Sequence, residues 1–399
     1  MSEAPPDTAR PKLRRTVIAL GVVSLLTDVA SDMVMPFLPA FILSVGGSAQ
    51  TLGLIEGVAT ATSSLMKFVV GTLSDHVHRK KPLVLLGYAV SNVARPLLSL
   101  AGAPWQVLAV RFFDRVGKGV RTAPRDALLA RDTPAAERAF AFGFHRSMDN
   151  LGAVLGPLVA TAILYAAPGQ LRVVFAATLI PGMLSVLAVL LGVREGVADE
   201  PAQEGKKPRP TLTGAAPKRM VPYLALVAVF TLANASDSFL LLRASALGVK
   251  PAHLPLAWGG LSLLRALMGT PGGHLADRIG RGRALALGWA LYAVAYAGFG
   301  LARNGWEGAA ALVVYGCYYG LCEGTELALV ASLARREELG RAYGWFNLVT
   351  GVLALPASLW FGGLYARGHV ASAFLLCAAL AVVASLGMFV WWRDRSDEA

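Results

Sequence analysis

The stretch Gly273-His-Leu-Ala-Asp-Arg-Ile-Gly-Arg281 reveals the architecture of the chain, because a shorter form of it, Gly71-Thr-Leu-Ser-Asp75, stands 202 residues earlier. The tripeptide Ala30-Ser-Asp32 returns in the same way as Ala235-Ser-Asp237, 205 residues later. Separate matches at nearly one spacing indicate an internal duplication. Both copies of the first stretch close an apolar run and precede basic residues, so they predict tight turns between helices, for which glycine is suited. The sequence therefore predicts two homologous halves.

The composition excludes a water-soluble protein. The 399 residues are 55% hydrophobic and only 16% charged, whereas soluble domains contain about 25% charged residues. A membrane-spanning helix needs about 20 mainly apolar residues, and the chain has room for twelve. The apolar runs predict spans 1 to 12 at 16–44, 51–74, 82–101, 105–130, 137–166, 170–193, 220–247, 251–277, 283–302, 306–333, 338–366 and 370–393.

The stretch 195–217 separates two sets of six spans. It is rich in Pro, Lys, Glu and Gly and lacks apolar periodicity, which is typical of a solvated linker. We expect an all-α membrane protein of twelve transmembrane helices in two pseudo-symmetric six-helix bundles, with a binding site between the bundles. The predicted regions are an N-terminal tail (1–15), a first bundle (16–193), a linker (194–219), a second bundle (220–393) and a C-terminal tail (394–399).

The formal charge of +12 is spread along the chain and does not form one patch. Basic residues recur in every second loop, for example at Arg79, Arg131, Arg278 and Arg335, and the intervening loops are nearly neutral. Cytoplasmic loops of membrane proteins carry such an excess of Lys and Arg. The pattern predicts a multi-pass protein embedded in the lipid bilayer of the plasma (inner) membrane, with both termini cytoplasmic. It argues against nucleic acid as a partner.

The loop after span 2 resembles the first loop motif of the major facilitator superfamily, with His78 in place of the second glycine of that motif. The loop after span 8 carries a second copy. The resemblance implies a twelve-helix transporter that works as a monomer, with a loop that acts as a conformational latch. The alternative is a loop that only holds helix ends together. The residues of this gating loop motif are Gly71, Asp75, Arg79, Gly273, Asp277, Arg278 and Arg281.

Span 5 carries a glycine pattern that resembles the drug/proton antiporter branch of the same superfamily. The pattern consists of Gly143, Gly152, Gly156 and Pro157, but Ala160-Thr161 stands where the branch has a glycine pair. The resemblance implies efflux of a solute in exchange for protons. Small residues also let membrane helices approach closely without any such function, and ordinary packing is therefore the alternative.

Span 4 has one charged face and one apolar face, because charged side chains recur on one side of the helix at about 100° per residue. Lipid exposure of a charged side chain costs about 2.5–3.5 kcal/mol on insertion scales, so this face either pairs with other charges or lines water. Its cationic excess favours an anionic or zwitterionic solute, whereas carboxylates of other spans could leave a site for cations, lipophilic drugs or a chelated metal. The residues predicted to line a substrate cavity are Glu56, Arg111, Asp114, Arg115, Lys118, Asn150, Asn234 and Glu323.

Four acidic residues are candidates for proton coupling: Asp28, Asp32, Asp149 and Asp237. Asp28 and Asp32 lie one helical turn apart on one face of span 1, and Asp237 repeats Asp32 in the second half. A carboxylate in a poorly hydrated cavity can take up a proton on one side of the membrane and release it on the other. We therefore expect a proton-coupled secondary active transporter that exports a small solute by alternating access.

The sequence leaves other membrane functions open. They are uptake or facilitated transport of an organic anion or a chelated metal, and a non-transporting membrane sensor. An enzyme is not expected, because no GxSxG or P-loop pattern occurs. No cofactor or metal site is predicted, since Cys317, Cys322 and Cys377 match no metal or redox spacing.

Overall fold

The computed structural model describes residues 15–74, 79–133, 138–193, 215–250, 253–335 and 338–397, and within these ranges the chain contains helices and no strand. The first lobe consists of span 1 (Arg15–Asp32, Met35–Phe37 and Leu38–Ser44), span 2 (Ala49–Ser74), span 3 (Lys81–Ala94 and Arg95–Leu100), span 4 (Pro104–Arg131), span 5 (Arg138–Ala166) and span 6 (Leu171–Ala177 and Leu179–Gly192). The second lobe consists of span 7 (Lys218–Met220, Val221–Ala233 and Ser238–Ala246), span 8 (Leu254–Ile279), span 9 (Arg281–Leu301), span 10 (Gly305–Leu333), span 11 (Leu339–Ala366) and span 12 (Val370–Asp397).

The twelve predicted spans are confirmed, and their ends differ from the prediction by a few residues. In the described part of the chain, nine of them are long and apolar enough by composition alone to cross a membrane. Spans 4, 8 and 10 fall outside that set, span 4 because of its charged face. The predicted N-terminal tail and linker lie almost wholly outside the described residues. The helix of span 12 continues to Asp397, into the segment predicted as a C-terminal tail.

Spans 1 and 7 are interrupted near their midpoints, which the sequence did not predict. Span 1 leaves the α-helix after Asp32 and resumes as a 3-10 turn at Met35–Phe37, where Pro36 lacks the N–H that a continuous helix needs. Span 7 stops at Ala233 and resumes at Ser238. Each interruption lies at a copy of the repeated Ala-Ser-Asp tripeptide, so the third residue of each copy stands at a broken helix end inside the bundle.

The duplication read from the sequence is present in the packing. A Cβ on Gly119 of span 4 would overlap with Met66 of span 2, and a Cβ on Gly320 of span 10 would overlap with Met268 of span 8. The two contacts are related by shifts of 201 and 202 residues. Glycine at these positions lets the fourth helix of each lobe touch the second helix directly.

The lobes meet along spans 2 and 11 and along spans 5 and 8. Gly362 of span 11 permits the first contact, because a Cβ there would lie 2.6 Å from the carbonyl oxygen of Ala49 in span 2. One end of the bundle holds the start of span 1 and the end of span 12, and we call it the basic end. The opposite end is the far end. Exposed side chains at the basic end include Arg79, Arg131, Arg219, Arg278 and Arg335.

Candidate functional site

A polar cavity of about 1050 Å³ lies between the lobes, in the half of the bundle nearer the basic end. Spans 1, 2, 4 and 5 line it from the first lobe, and spans 8 and 10 from the second. We call it the basic cavity, because six of its lining residues are Lys or Arg and three are Asp or Glu. These residues are Asp28, Lys67, Lys118, Arg121, Arg125, Arg146, Asp149, Arg265 and Glu323, and Asn150 also lines the cavity.

A second cavity of about 960 Å³ adjoins the first and shares Tyr319 with it. We call it the aromatic cavity, because five rings line it: Phe230, Trp258, Trp289, Tyr318 and Tyr319. Within the described residues no Lys or Arg lines the aromatic cavity. Its other polar lining residues include Glu56, Asn234, Asp237 and Glu326. Charge and aromatic surface are therefore separated between two adjoining spaces.

Four charged side chains of spans 2, 3 and 4 form a buried network beside these cavities. Glu56 accepts two hydrogen bonds from Arg111, at 2.8 and 3.1 Å. Asp114 accepts a hydrogen bond from Arg95 at 2.9 Å and lies 3.5 Å from Arg111. Each of the four residues is less than 5% exposed, so the opposite charges compensate one another away from water.

The network changes the interpretation of the charged face of span 4. Arg111 and Asp114 were predicted to line a substrate cavity, yet both are held in the network, and neither lines the basic or the aromatic cavity. Arg115 lies 3.9 Å from Asp114 and lines neither cavity either. Glu56 belongs to the network and also lines the aromatic cavity.

Farther along span 4, two arginines face the basic cavity with partners of their own. Arg121 lies over the ring of Tyr88, 4.4 Å from its centroid, and donates a hydrogen bond to Ser91 at 2.9 Å. Arg125 pairs with Asp126 at 2.8 Å. Arg121 has no carboxylate within ion-pair distance among the described residues, and the contacts of its guanidinium are a ring and a hydroxyl.

Three charged side chains of the basic cavity make no hydrogen bond or ion pair with any other residue in the described ranges. They are Asp28 of span 1, Lys67 of span 2 and Lys118 of span 4. Their spans pack against one another in the first lobe. Because an unpaired charge inside a membrane protein is costly unless it faces water or a ligand, these three side chains are the strongest candidates for direct contact with a transported species.

The glycine pattern of span 5 places that helix directly on the acidic face of span 1. A Cβ on Gly152 would lie 2.6 Å from the Leu25 carbonyl oxygen and 2.9 Å from the Cβ of Asp28. A Cβ on Gly156 would lie 3.0 Å from the Cβ of Asp32. Gly143 has no such neighbour within 4 Å. Two glycines of the pattern therefore fix the position of the two acids.

Pro157, the last residue of that pattern, lies at the contact between the lobes. A Cβ on Gly259 of span 8 would be 3.5 Å from the Cβ of Pro157. Thr161 donates a hydrogen bond to the carbonyl oxygen of Pro157 at 2.8 Å. The threonine that departs from the antiporter pattern thus has a partner on its own helix.

The acids Asp149 and Asp237 are held by neighbours. Asp149 accepts a hydrogen bond from Ser24 and lies 3.5 Å from the imidazole of His145. Asp237 pairs with Arg265 at 2.6 Å and accepts further hydrogen bonds from two tyrosines of span 10, Tyr315 and Tyr319. No three His, Cys, Asp or Glu side chains of the described residues are placed to hold a metal ion together.

Among the described residues, three polar contacts connect the lobes across the cavities. Trp258 of span 8 donates a hydrogen bond to Asp32 of span 1 at 2.6 Å. Ser236 of span 7 donates to Glu56 of span 2 at 3.4 Å. Arg146 of span 5 forms an ion pair with Glu323 of span 10. The first two use acids at the centre of the bundle, and the third lies nearer the basic end.

Replacement of Trp258 by Phe keeps an aromatic ring and removes the hydrogen bond to Asp32. A hydrogen bond to a charged group contributes about 1.5–3 kcal/mol, so its loss should raise the population of molecules open at the far end by about tenfold or more. Spin labels at Gly102 and Arg303 report this opening as a longer distance. Trp360→Phe is the matched control, because the Trp360 indole donates to Leu232 within the second lobe. Equal distances in the two variants would exclude a role for Trp258 in holding the lobes together.

The gating loop motif is described only in part. Asp75 lies outside the described residues, and of Gly71 only the place in the helix of span 2 is described. Asp277 and Arg278 are exposed, and Gly273 has no neighbour that a Cβ would meet within 4 Å. Arg281 donates to the carbonyl oxygen of Ala328 at 3.3 Å, which ties the start of span 9 to span 10. The function of this motif as a latch stays a prediction.

The structure also adds residues that the sequence did not point to: Arg146, Trp258, Tyr315 and Tyr319. It gives Arg265, a charged residue inside a predicted span, a partner in Asp237. Arg146 is the ion-pair partner of Glu323. The repeat offers a signal for the tyrosines, because Tyr315 and Tyr319 stand 201 residues after Asp114 and Lys118. Aligning the two halves position by position would have shown that tyrosine replaces charge in the second lobe.

The chain is similar to a known protein family and to several individual proteins. The family model of the Major Facilitator Superfamily matches residues 20–358 and 238–399. An uncharacterised MFS-type transporter of Methanocaldococcus jannaschii is 32% identical over 94% of each chain. The multidrug resistance protein MdtG of Salmonella heidelberg is 24% identical over 41% of each chain. A solved POT family transporter in complex with a thioalcohol conjugated peptide has a similar fold, with a TM-score of 0.79 at 13% identity, over 95% of this chain and 96% of that one.

Proposed function

Because this chain belongs to the major facilitator superfamily, we propose that it is a proton-coupled secondary active transporter that moves a small solute across the membrane by alternating access. The solute binds in the basic and aromatic cavities between the lobes. The carboxylate of Asp28 takes up and releases the coupling proton. The other three acids, Asp32, Asp149 and Asp237, have hydrogen-bond or ion-pair partners in the conformation described. They exchange these partners when Asp28 gains or loses its proton.

One observation carries the proposal: Asp28 lines the basic cavity and has no hydrogen bond or ion pair with any other described residue. An acid held in a permanent ion pair keeps its charge throughout a cycle, whereas an acid that faces a cavity can exchange a proton with it. The position of Asp28 is fixed by Gly152 of the neighbouring helix. The coupling group is therefore both open to the cavity and rigidly placed.

Alternating access follows from the contacts between the lobes. The hydrogen bond from Trp258 to Asp32 and the packing of Gly362 on Ala49 bring the lobes together toward the far end. When the far end opens, this hydrogen bond and this helix contact are both broken. The basic end must then close around the pair Arg146–Glu323. A carboxylate accepts this hydrogen bond more strongly than a carboxylic acid does, so a change in the protonation of Asp32 alters the stability of the closed far end.

The direction of transport depends on the charge of the solute. A cationic solute competes with the proton for Asp28, and exchange of protons for solute then exports it. This is the direction predicted from the glycine pattern of span 5, and the similarity to MdtG supports it. An anionic solute binds better once Asp28 is protonated, and the proton and the solute then move together.

Replacement of Asp28 by Asn tests the proton assignment in the full-length protein reconstituted into liposomes. Proton movement driven by 1-naphthalenesulfonate or by (1-naphthylmethyl)trimethylammonium is followed with a pH dye inside the liposomes. Both probes carry permanent charges and cannot shuttle protons by themselves. We expect the wild type to couple one of them to proton movement, and the Asp28→Asn variant to lose that coupling.

A second readout needs no solute. The infrared difference spectrum of the wild type between acidic and neutral pH should contain a carboxylic acid band that is missing from Asp28→Asn. The control is Asp132→Asn, whose carboxylate pairs with Arg131 at the basic end, outside both cavities. Retention of the band and of coupled proton movement in Asp28→Asn would show that another acid carries the proton.

A further inference from the structure

We propose that the solute is an organic anion with a planar aromatic part, and that the two adjoining cavities recognise its two ends separately. The negatively charged group lies in the basic cavity between Lys67 and Lys118. The ring lies against Tyr319 and extends into the aromatic cavity. This assignment deepens the proposed transport function and rests on it. It selects the case in which the proton and the solute move together, in place of the exchange implied by the glycine pattern of span 5. Its binding test does not depend on proton coupling.

The balance of charge in the basic cavity favours an anion. Of its cations, Arg125 pairs with Asp126, Arg146 with Glu323 and Arg265 with Asp237. Lys67, Lys118 and Arg121 have no carboxylate partner among the described residues, and Asp28 is the one lining carboxylate left without a cation or a hydrogen-bond donor within those residues. Asp149 adds a second negative charge, because its neighbours are the Ser24 hydroxyl and the His145 imidazole. Three cations therefore face two carboxylates, so the excess charge is positive and a bound anion removes it.

Lys67 and Lys118 are brought together by a close helix contact. Gly119 follows Lys118 in span 4, and a Cβ on it would overlap with Met66 and lie 3.3 Å from the backbone nitrogen of Lys67 in span 2. The backbones of the two spans therefore touch at the point where the lysine side chains leave them. Two ammonium groups that emerge from one rigid contact and line one cavity can bind a single anionic group from two sides.

The second lobe provides the surface for the ring. Tyr318 and Tyr319 have ring centroids 5.0 Å apart, and Phe230 stacks on Trp289 at 4.6 Å. Tyr319 lines both cavities, so a solute held by the lysines meets this ring first. The guanidinium of Arg265 lies over Tyr319, 3.6 Å from the ring centroid, and fixes the ring in place.

The aromatic cavity disfavours a second negative group. Within the described residues its lining contains no Lys or Arg, and it contains Glu56, Asp237 and Glu326. The cations nearest this lining, Arg111 and Arg265, are already paired with Glu56 and Asp237, so neither is free to bind an anion. The solute therefore carries its negative charge at one end only.

Binding is measured on the purified full-length protein with probes that share one ring system. They are 1-naphthalenesulfonate, (1-naphthylmethyl)trimethylammonium, 1,5-naphthalenedisulfonate, and methanesulfonate as the anion without a ring. We expect 1-naphthalenesulfonate to bind most tightly. Lys67→Gln and Lys118→Gln should each weaken it by about tenfold to a hundredfold, the effect of losing one charged hydrogen bond. Lys218→Gln, at an exposed lysine outside both cavities, should leave it unchanged.

Each outcome decides a part of the proposal. If the cationic probe binds more tightly, or if 1-naphthalenesulfonate does not bind at millimolar concentration, the solute is not an organic anion. If methanesulfonate binds as tightly as 1-naphthalenesulfonate, the site does not recognise an aromatic ring. If the disulfonate binds more tightly than 1-naphthalenesulfonate, the solute does not carry its charge at one end only. If a lysine variant fails to fold, the comparison of probes on the wild type still decides the charge. If 1-naphthalenesulfonate binds as expected but Asp28→Asn keeps proton coupling, the proposed proton site is refuted. The proposed substrate class is then still supported.

Discussion

Replacement of Asp114 by Ala should lower the free energy of unfolding by about 3–5 kcal/mol, because it removes one partner from a buried ion network and leaves the other charges uncompensated. Asp114 is 1% exposed and lies 2.9 Å from Arg95 and 3.5 Å from Arg111. Glu56 can balance only one of the two guanidinium groups. Spans 3 and 4 should therefore separate more easily, and the thermal midpoint of the purified protein in detergent should fall steeply.

The control for this change is Asp132→Ala, which removes a carboxylate from a pair that is partly accessible to water. Exposed pairs contribute about 0–1 kcal/mol, so this variant should unfold almost like the wild type. The variant Arg95→Gln with Asp114→Asn should lose less stability than the sum of the two single changes, since it removes both charges of one pair. If the thermal midpoint falls no more in Asp114→Ala than in Asp132→Ala, the network does not stabilise the first lobe.

Replacement of Gly362 by Val should stop transport by preventing closure of the far end. A Cβ at this position would lie 2.6 Å from the Ala49 carbonyl oxygen and 3.2 Å from the Cα of Gln50. Both atoms belong to the backbone of span 2, so no side chain can rotate away to make room. A cost of about 3 kcal/mol for this overlap lowers the closed population more than a hundredfold.

The adjacent glycine provides a matched control. Gly363 lies on the same turn of span 11, and a Cβ on it would meet no neighbour within 4 Å, so Gly363→Val should transport at the wild-type rate. The distance between spin labels at Gly102 and Arg303 should lengthen in Gly362→Val and stay unchanged in Gly363→Val. Equal transport by the two valine variants would mean that spans 2 and 11 do not need to touch during the cycle.

The charged face of span 4 shows where prediction from the sequence succeeded and where it stopped. Helical periodicity placed Arg111, Asp114, Arg115 and Lys118 on one side, and the cost of lipid exposure implied that they pair or face water. The structure divides them, because Arg111 and Asp114 are sealed in ion pairs while Lys118 lines a cavity. Periodicity gives the direction of a side chain from its own helix axis and says nothing about which neighbour stands there.

The second lobe shows the same limit of prediction from a single helix. Span 10 alone gives Tyr315 and Tyr319 as ordinary positions of a membrane helix. The repeat marks them only as counterparts of charged residues, and their contacts with Asp237 and Arg265 come from the packing. The breaks in spans 1 and 7 were also missed. A broken helix inside a membrane is tolerated where neighbouring helices or water satisfy its backbone, and a neighbouring helix is information that one span does not contain.

The twelve spans, their division into two repeated lobes and the exclusion of a soluble protein all followed from the order of the residues. They could do so mainly because a membrane helix makes most of its backbone hydrogen bonds within itself. Apolar length therefore identifies nine of the spans in the described part of the chain. Which charges are paired, and which remain open to the cavities, depends instead on how the helices pack. Partners such as Trp258 and Asp32 stand 226 residues apart in the chain, and they meet only because small residues let particular helices approach closely.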